Sequence, residues 1–374
     1  MDAIFQNFSN LTWQQVVMWV IGGTLIYLAI KKDMEPSLLL PMGFGAILVN
    51  IPLSGAITQV IDGVTEVGVL NVLFDGGIAN ELFPLLLFIG IGAMIDFEPL
   101  LTNPKLMLFG AAAQFGIFFT LVAASALGFP LKDAASIAII GAADGPTSIF
   151  VANYLHSNYL GPIIIAAYSY MALVPIVQPP IIKLLTTKKE RLIRMEYTGS
   201  SVNKATKILF PIIVTVIAGI FAPRSVALVG FLMFGNLIRE CGVLGSLSDT
   251  AQKVLANLIT LLLGLTVAAN MQAESFITLR TLMILALGLC AFIFDTAGGV
   301  LFGKFINLFS KKKVNPMIGA AGISAFPMAS RVVHKMGLAE DKQNHLLMHA
   351  AGANVAGQIA SVIAGGVLLS LIVK

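Results

Sequence analysis

Long apolar runs with no regular alternation of polar and apolar residues dominate the chain. A helix needs about 20 apolar residues to cross the hydrocarbon core of a bilayer, whereas the strands of a membrane barrel alternate. The pattern therefore predicts an all-α polytopic membrane protein with about ten spans, the first of them uncleaved. The predicted spans lie at 13–30, 38–57, 81–95, 105–128, 160–184, 206–222, 226–239, 254–268, 280–306 and 345–373.

Two more apolar runs are interrupted by helix-breaking residues. The run 133–155 contains Asp144-Gly145-Pro146, and the run 316–335 contains Gly322-Ile323-Ser324-Ala325-Phe326-Pro327. Proline removes a helical hydrogen bond and its ring clashes with the preceding turn. Each run is therefore expected to break near its middle.

The charges outside the runs set the expected topology. Lysine and arginine concentrate on the cytoplasmic side of membrane proteins, and here they cluster at 31–32, 188–194 and 311–313. The loop 58–80 carries acidic residues and no basic one, so we place it outside. An odd number of spans must then separate this loop from 188–194, and the spans 81–95, 105–128 and 160–184 already give three. The run 133–155 is therefore predicted to be a re-entrant hairpin, and the same count makes 316–335 a hairpin. The alternative is that one short run is not a span.

The composition limits the class of protein. Apolar residues make up 57% of the 374 residues and charged residues 11%, whereas a soluble domain carries about a quarter charged residues. This excludes a water-soluble enzyme, a disordered chain and a disulfide scaffold. The net charge of +4 is small and gives no indication of a nucleic-acid partner.

The two halves of the chain contain similar segments in the same order. Each half reads span, span, interrupted run, span, and the crossing count gives the halves opposite orientations. Inverted repeats with paired broken helices are typical of secondary transporters, whose binding site lies where the breaks meet. The matching segments are 88–96 with 262–270, 106–108 with 282–284, 140–143 with 318–321, and 166–170 with 350–354.

The repeats predict a division of the chain into four parts. Spans at 1–80 are scaffold-like and precede the first repeat at 81–185, which holds the interrupted run 133–155. A cytoplasmic loop and linking spans occupy 186–250. The second repeat, 251–374, holds the interrupted run 316–335.

Asp144 is the main candidate for ion binding. A charged side chain at the centre of a membrane costs at least about 2.5–3.5 kcal/mol on insertion scales, and a bound cation offsets that cost. Thr147 and Ser148 add hydroxyl oxygens beside carbonyls freed by the break, which together favour Na⁺. Ca²⁺ is not favoured, because it takes six to eight oxygens and no second acid is near in sequence. The alternative is that Asp144 only caps the second half-helix.

Other polar residues in apolar surroundings extend the candidate site. Ser324 lies in the second interrupted run, and Asn354 in the last span offers an amide oxygen. Tyr170 is the repeat mate of Asn354 and is a candidate proton donor, or alternatively a packed or interfacial tyrosine. Asp295 is a candidate for a second cation site or a proton path, the alternative being an ion pair with Arg280 or Lys304.

Two basic residues follow the second interrupted run. Arg331 and Lys335 lie one helical turn apart, on the side that the charge distribution assigns to the cytoplasm. They are interpreted as a patch that attracts an anion, or alternatively as ordinary cytoplasmic anchors of the chain.

Four stretches of the chain have a recognisable pattern, namely Gly141-Ala142-Ala143-Asp144-Gly145-Pro146-Thr147-Ser148-Ile149-Phe150 and the segments 41–50, 90–97 and 354–359. They resemble the beta subunits of biotin-dependent sodium-translocating decarboxylases. The resemblance covers essentially the whole chain. Oxaloacetate, methylmalonyl-CoA, glutaconyl-CoA and malonate systems share this subunit, and the sequence does not choose among them.

The resemblance implies an activity and site residues. The subunit would decarboxylate carboxybiotin and export Na⁺, while consuming a proton from outside. The signature acid of the family corresponds to Asp144, its essential tyrosine to Tyr170, and polar positions of its last helix to Asn354 and Ser361. The alternative hypothesis is a sodium-coupled solute transporter without chemistry.

The resemblance also implies partners and a location. Carboxybiotin would be supplied by a separate biotin carrier protein, so no biotin is expected on this chain. A carboxyltransferase alpha subunit and a small single-span membrane subunit would complete the complex, and a homo-oligomer is an additional hypothesis. The expected location is the inner membrane of a prokaryotic, anaerobic cell.

Overall fold

The computed structural model of the chain describes residues 10–32, 34–61, 63–196 and 202–372. Helices make up most of these residues, and one short hairpin supplies the strands. The N-terminal part contains helix α1 (Trp13–Lys32) and helix α2 (Pro36–Val49), which pack against each other. Pro36 stands at the start of α2, where the missing amide is not needed by the helix.

The segment that the sequence assigned to an outer loop has structure of its own. Strand β1 (Gln59–Ile61) pairs antiparallel with β2 (Val64–Glu66), with Gln59 opposite Glu66. Helix α3 (Val69–Leu73) follows and continues as a π-helix over Phe74–Ala79. The axis then bends by 60° into the next helix.

The first predicted repeat is a series of helices ending in a long one. Its members are α4 (Leu82–Met94), α5 (Glu98–Thr102), α6 (Met107–Ala112), α7 (Phe115–Ala126), α8 (Leu131–Ala138), α9 (Gly145–Tyr154) and α10 (Leu160–Leu185). Short 3-10 turns over Pro104–Leu106 and Ile139–Ala142 precede α6 and extend α8.

The middle of the chain links the two halves. It contains α11 (Lys188–Arg191), α12 (Lys204–Phe221), a 3-10 turn (Pro223–Ser225) and α13 (Val226–Glu240). Helix α13 packs along α4. The two helices are so close that a Cβ added to Gly92 would lie 1.8 Å from the carbonyl oxygen of Leu232.

Helix α14 (Gly245–Asp249) ends the linking part. The second predicted repeat also ends in a long helix. Its members are a π-helix (Thr250–Leu255), α15 (Ala256–Val267), a 3-10 turn (Ala268–Asn270), α16 (Ala273–Phe276), α17 (Leu279–Phe309), a 3-10 helix (Pro316–Gly322), α18 (Met328–Glu340) and α19 (Leu347–Ile372). Helix α15 packs against α2 from the N-terminal part.

The structure confirms an all-α polytopic membrane protein. In the described part of the chain, seven helices are long and apolar enough to cross a membrane, or eight if the bent pair of α3 and α4 is one span. Each of the ten predicted spans overlaps a helix, but α2, α4 and α13 have only 14, 13 and 15 residues. The number of spans, their orientations and the domain boundaries stay predictions.

Candidate sodium site at two broken helices

Both interrupted runs contain a break, and the two breaks touch. The first break lies between α8 and α9, where Ala143 has a positive φ of 51° and Asp144 is extended. The second break spans 323–327, between the 3-10 helix and α18. The backbone amide of Ser324 donates to the carbonyl oxygen of Ala142 at 3.0 Å. The Ala142 carbonyl at the first break therefore joins the two breaks and is not free.

Asp144 lies at the start of α9 and is 3% exposed. Its Oδ1 accepts the backbone amide of Thr147 at 3.4 Å, and its Oδ2 accepts the Thr147 hydroxyl at 2.6 Å. The Ser148 hydroxyl donates to the main-chain oxygen of Asp144 at 2.8 Å. The capping geometry raised as an alternative is therefore present. A carboxylate has about four lone-pair sites, so these bonds leave room for a cation.

Helix α19 turns three polar side chains toward the breaks. Asn354, Gln358 and Ser361 are spaced at i, i+4 and i+7, which places them on one face of the helix. The Ser361 hydroxyl donates to Asp144 Oδ2 at 3.3 Å. The last helix thus contributes directly to the surroundings of the carboxylate.

The amides of the last helix present oxygen atoms inside the protein. Asn354 Nδ2 donates to the Ile323 carbonyl at 2.6 Å, and Gln358 Nε2 donates to the Ser324 carbonyl. Because the nitrogen atoms are fixed by carbonyl acceptors, the oxygen atoms must point elsewhere. Both oxygens are buried and have no hydrogen-bond partner. Unpartnered buried oxygens are costly in a protein interior unless a donor or cation occupies them.

The second break is itself held by α19. The Ser324 hydroxyl donates to the Gly357 carbonyl at 3.2 Å, so Ser324 is only 2% exposed. The structure therefore brings Asp144, Thr147, Ser148, Ser324, Asn354 and Ser361 to one region. Sequence reasoning missed Gln358, although its position four residues after Asn354 was a signal.

The two tyrosines of α10 occupy different surroundings. The Tyr170 hydroxyl donates to the Leu285 carbonyl in α17 and forms no hydrogen bond with Asp144. Tyr168 is 1% exposed, and a Cβ added to Gly145 would lie 2.3 Å from the Cε1 atom of its ring. The Tyr168 ring therefore covers the residue that follows Asp144, a position that the sequence did not single out.

Asp295 lies in α17, apart from this region. Its Oδ1 accepts the backbone amides of Gly116 and Ile117 at the start of α7. The two partners considered from the sequence bond elsewhere. Arg280 donates to the Tyr159 hydroxyl, and Lys304 lies 3.3 Å from a carboxylate oxygen of Glu190.

Arg331 and Lys335 line a cavity of about 750 Å³. The cavity lies between α18, the end of α10 and the start of α2, and Lys183 forms part of its wall. In the described part of the chain, none of these three cations forms an ion pair or a side-chain hydrogen bond. Lys183 was not recognised in the sequence, because it stands far from the other two along the chain.

The basic loop after α10 is hydrogen-bonded to the start of the second broken helix. Asn315 is fully buried, and its Nδ2 donates to the carbonyls of Arg191 and Ile193, both at 2.9 Å. Arg194 donates to Asp341 at 2.6 Å, and this hydrogen bond lowers the pKa of the Asp341 carboxyl. The sequence did not single out Asn315, because an asparagine at the edge of an apolar run is typical of a turn.

Comparison with known proteins identifies the family. The family model of the Na⁺-transporting oxaloacetate decarboxylase beta subunit matches residues 14–372. The chain belongs to this family. It is thus a membrane subunit of the sodium-transporting decarboxylases, whose beta subunits work within multi-subunit complexes.

Similar family members are named for different substrates. The methylmalonyl-CoA decarboxylase subunit beta of Propionigenium modestum is 48% identical, over 98% of this chain and 96% of that protein. The glutaconyl-CoA decarboxylase subunit beta of Acidaminococcus fermentans is 48% identical, over 98% and 95%. The oxaloacetate decarboxylase beta chain of Klebsiella pneumoniae is 45% identical, over 100% and 99%. These names do not favour the alternative of a solute transporter without chemistry.

Proposed function

We propose that the chain decarboxylates carboxybiotin and couples this reaction to the export of Na⁺ bound at Asp144. The observation that carries the proposal is the buried Asp144 carboxylate at the contact of two broken helices. It lies beside a helix whose amide oxygens have no partner. In membrane transporters, paired broken helices surround the substrate site.

The donor set fits Na⁺ as the transported ion. One carboxylate, hydroxyl groups and amide oxygens form a hard oxygen site with a single negative charge, which a monovalent cation neutralises. In the described ranges, no group of three or more His, Cys, Asp or Glu side chains could hold a metal ion. We assign Asp144, Thr147, Ser148, Ser324, Asn354 and Ser361 to the sodium site and add Gln358.

The cavity beside α18 is our candidate for the carboxybiotin site. A volume of about 750 Å³ lies within the usual range of small-molecule sites, roughly 300–1,000 Å³. Carboxybiotin is an anion, and Lys183, Arg331 and Lys335 line the cavity without forming an ion pair in the described structure. Two glutamates also line it, and one of them, Glu340, pairs with Arg191. These cations would hold the carboxylate of a biotin arm that a separate carrier protein delivers from the cytoplasm.

Coupling is required by the energetics of export. Moving one positive charge outward against 100 mV costs about 2.3 kcal/mol, and loss of CO₂ from carboxybiotin would supply this free energy. A proton from outside replaces the lost carboxyl group on biotin. We assign Tyr170 as the proton donor, because its hydroxyl lies against α17, within the membrane-spanning bundle.

The proposed complex contains further subunits. We propose a biotin carrier protein, a carboxyltransferase alpha subunit and a small single-span subunit as partners, and a homo-oligomer as a further assembly. Helices α1 and α12 are mostly exposed in the single chain, so lipid or these membrane partners would cover them. The bacterial relatives support a location in the inner membrane of a prokaryote, here proposed to be an anaerobe.

The test is carboxybiotin decarboxylation by the purified protein, with its small partner, in proteoliposomes. Carboxybiotin turnover and Na⁺ uptake are measured as the Na⁺ concentration is raised, using proteoliposomes in which the cytoplasmic side of the protein faces outward. Saturable stimulation by Na⁺ that accompanies ion uptake supports the proposal. A well-folded complex that moves an organic solute with Na⁺, but does not act on carboxybiotin, would be a solute transporter instead.

A further inference from the structure

Three aspartates are buried in the described part of the chain, and Asp295 differs from the other two. Asp133 accepts hydrogen bonds on both carboxylate oxygens, from Ser157 and from Asn158. Asp144 also has donors on both oxygens. Asp295 has donors on Oδ1 alone, and its fully buried Oδ2 has no hydrogen-bond partner.

The donors on Oδ1 fix the position of this carboxyl group. They are the backbone amides of Gly116 and Ile117 at the start of α7, the second half of a helix that is interrupted near Gln114. The first amides of a helix have no partner within it and carry partial positive charge. Asp295 therefore caps α7 from a different helix.

The other oxygen faces the first broken helix. A Cβ added to Gly141 would lie 2.5 Å from Asp295 Oδ2, and a Cβ added to Gly116 would lie 2.7 Å from Oδ1. Glycine is the residue that leaves this space to the carboxyl group. The neighbours of the Gly141 position are Asp295 Oδ2 and, beyond it, the side chain and carbonyl carbon of Ala291.

No group of side chains that could hold a metal ion is found here. Hard cations are held by several oxygen atoms, and among the described residues no group of three or more His, Cys, Asp or Glu side chains could hold one. No basic side chain pairs with Asp295 in the described structure. A buried carboxylate without a counter-charge normally takes up a proton rather than remaining ionised.

We propose that Asp295 is a proton-binding site, separate from the sodium site, with the proton on Oδ2 beside the first broken helix. The carboxylate oxygen gains an O–H bond and the side chain becomes neutral.

The elements packed against Asp295 bring two other titratable side chains to the region. Asp144 follows Gly141 by three residues on the broken helix. Tyr170 from α10 packs with Ile140 against Gly288 of α17. Because Asp295 is neutral, Asp144 alone balances the charge of a bound Na⁺. The central region then holds one proton on Asp295 and one cation at Asp144.

The test uses infrared spectra of the full-length protein in lipid, recorded without carboxybiotin, so that the result does not depend on the proposed function. A protonated carboxyl group has a C=O stretching band that shifts when H₂O is replaced by D₂O. We expect this band in the wild type at neutral pH and in Asp144→Asn and Asp133→Asn. We expect its loss when Asp295→Asn is combined with Asp144→Asn, because the Asp144 carboxyl is then removed as a second source of the band. Asparagine at 295 keeps an oxygen for the two amides.

Binding of radioactive Na⁺ separates the proton from a cation at this position. Asp295→Asn is expected to bind the same number of Na⁺ per chain as the wild type. Loss of a sodium ion in Asp295→Asn, or persistence of the carboxyl band in the double variant, would overturn the proposal. If the Asp295→Asn variants do not fold, the spectrum of Asp144→Asn tests the proposal. Absence of the carboxyl band from that spectrum would also contradict a protonated Asp295.

Discussion

Replacing Asp144 by asparagine removes the negative charge at the contact of the two breaks and keeps nearly the same shape. The asparagine oxygen can still accept the Thr147 amide, so the start of α9 is retained. The Thr147 hydroxyl, 2.6 Å from Oδ2 in the wild type, can rotate to accept a bond from the new amide. The substitution therefore tests charge rather than architecture.

The expected loss of sodium affinity follows from the charge and its burial. Two unit charges 4 Å apart attract by about 4 kcal/mol at an effective dielectric constant of 20. Asp144 is 3% exposed, so solvent screens the pair little. Since each 1.4 kcal/mol is a factor of ten, the dissociation constant for Na⁺ should rise by about 10³-fold.

The stability of the wild type and that of Asp144→Asn should differ in their response to Na⁺. Without Na⁺, the buried charge of the wild type costs about 2.5–3.5 kcal/mol on insertion scales, so Asp144→Asn should unfold at the same or a higher temperature. With Na⁺ at 100 times its dissociation constant, the wild type gains about 2.7 kcal/mol and the variant gains nothing.

The assay is thermal unfolding in lipid nanodiscs over a range of Na⁺ concentrations, with choline chloride maintaining ionic strength. Carboxybiotin decarboxylation is measured on the same samples. Asp133→Asn is the matched control, because Asp133 is also a buried aspartate of the first broken helix but accepts its hydrogen bonds from Ser157 and Asn158. This control should lose stability and keep its response to Na⁺.

Two results would refute the reasoning. One is a dissociation constant for Na⁺ in Asp144→Asn within about threefold of the wild type, since that corresponds to less than 1 kcal/mol. The other is decarboxylation that survives in Asp144→Asn without dependence on Na⁺, which would separate the chemistry from this residue.

Three further predictions follow from other contacts. Gln358→Leu removes an unpartnered buried oxygen and should weaken Na⁺ binding by about tenfold, the equivalent of one lost polar contact; unchanged binding by calorimetry would remove Gln358 from the site. Lys183→Ala should raise KM for carboxybiotin more than it lowers kcat, whereas Lys253→Ala, whose lysine pairs with the exposed Asp249, should change neither. Asn315→Ala leaves the Ile193 carbonyl without a donor, while the Arg191 carbonyl keeps the Asn344 amide, and should lower the free energy of unfolding by about 1–3 kcal/mol, measured by thermal unfolding.

The class and the helical framework could be predicted from the sequence because they depend on local properties. Long apolar runs determine that the chain lies in a membrane, since only helices satisfy their own backbone groups there. The position of the first break is also local, because Gly145 and Pro146 cannot extend the helix that ends at Ala142. A single acid inside an apolar run was enough to select Asp144 as the candidate ligand.

The lengths of the shorter helices could not be predicted from local sequence. The apolar run at 38–57 gave only α2, which ends at Val49. The following residues turn, and the loop after them forms a hairpin and a bent helix. Hydropathy alone cannot distinguish a full span from a shorter helix that ends inside the protein, because both are apolar.

The identity of the neighbouring groups was decided by the tertiary structure. Ser361 reaches Asp144 across 217 residues of sequence, and Lys183 joins Arg331 around one cavity. Tyr168, and not Tyr170, covers the break at Gly145. Helices that are apolar on all sides carry no periodic signal for the direction in which each side chain points. The sequence by itself determined that this is a membrane protein with a charged break, while helix crossing and rotation decided which oxygens and cations surround it.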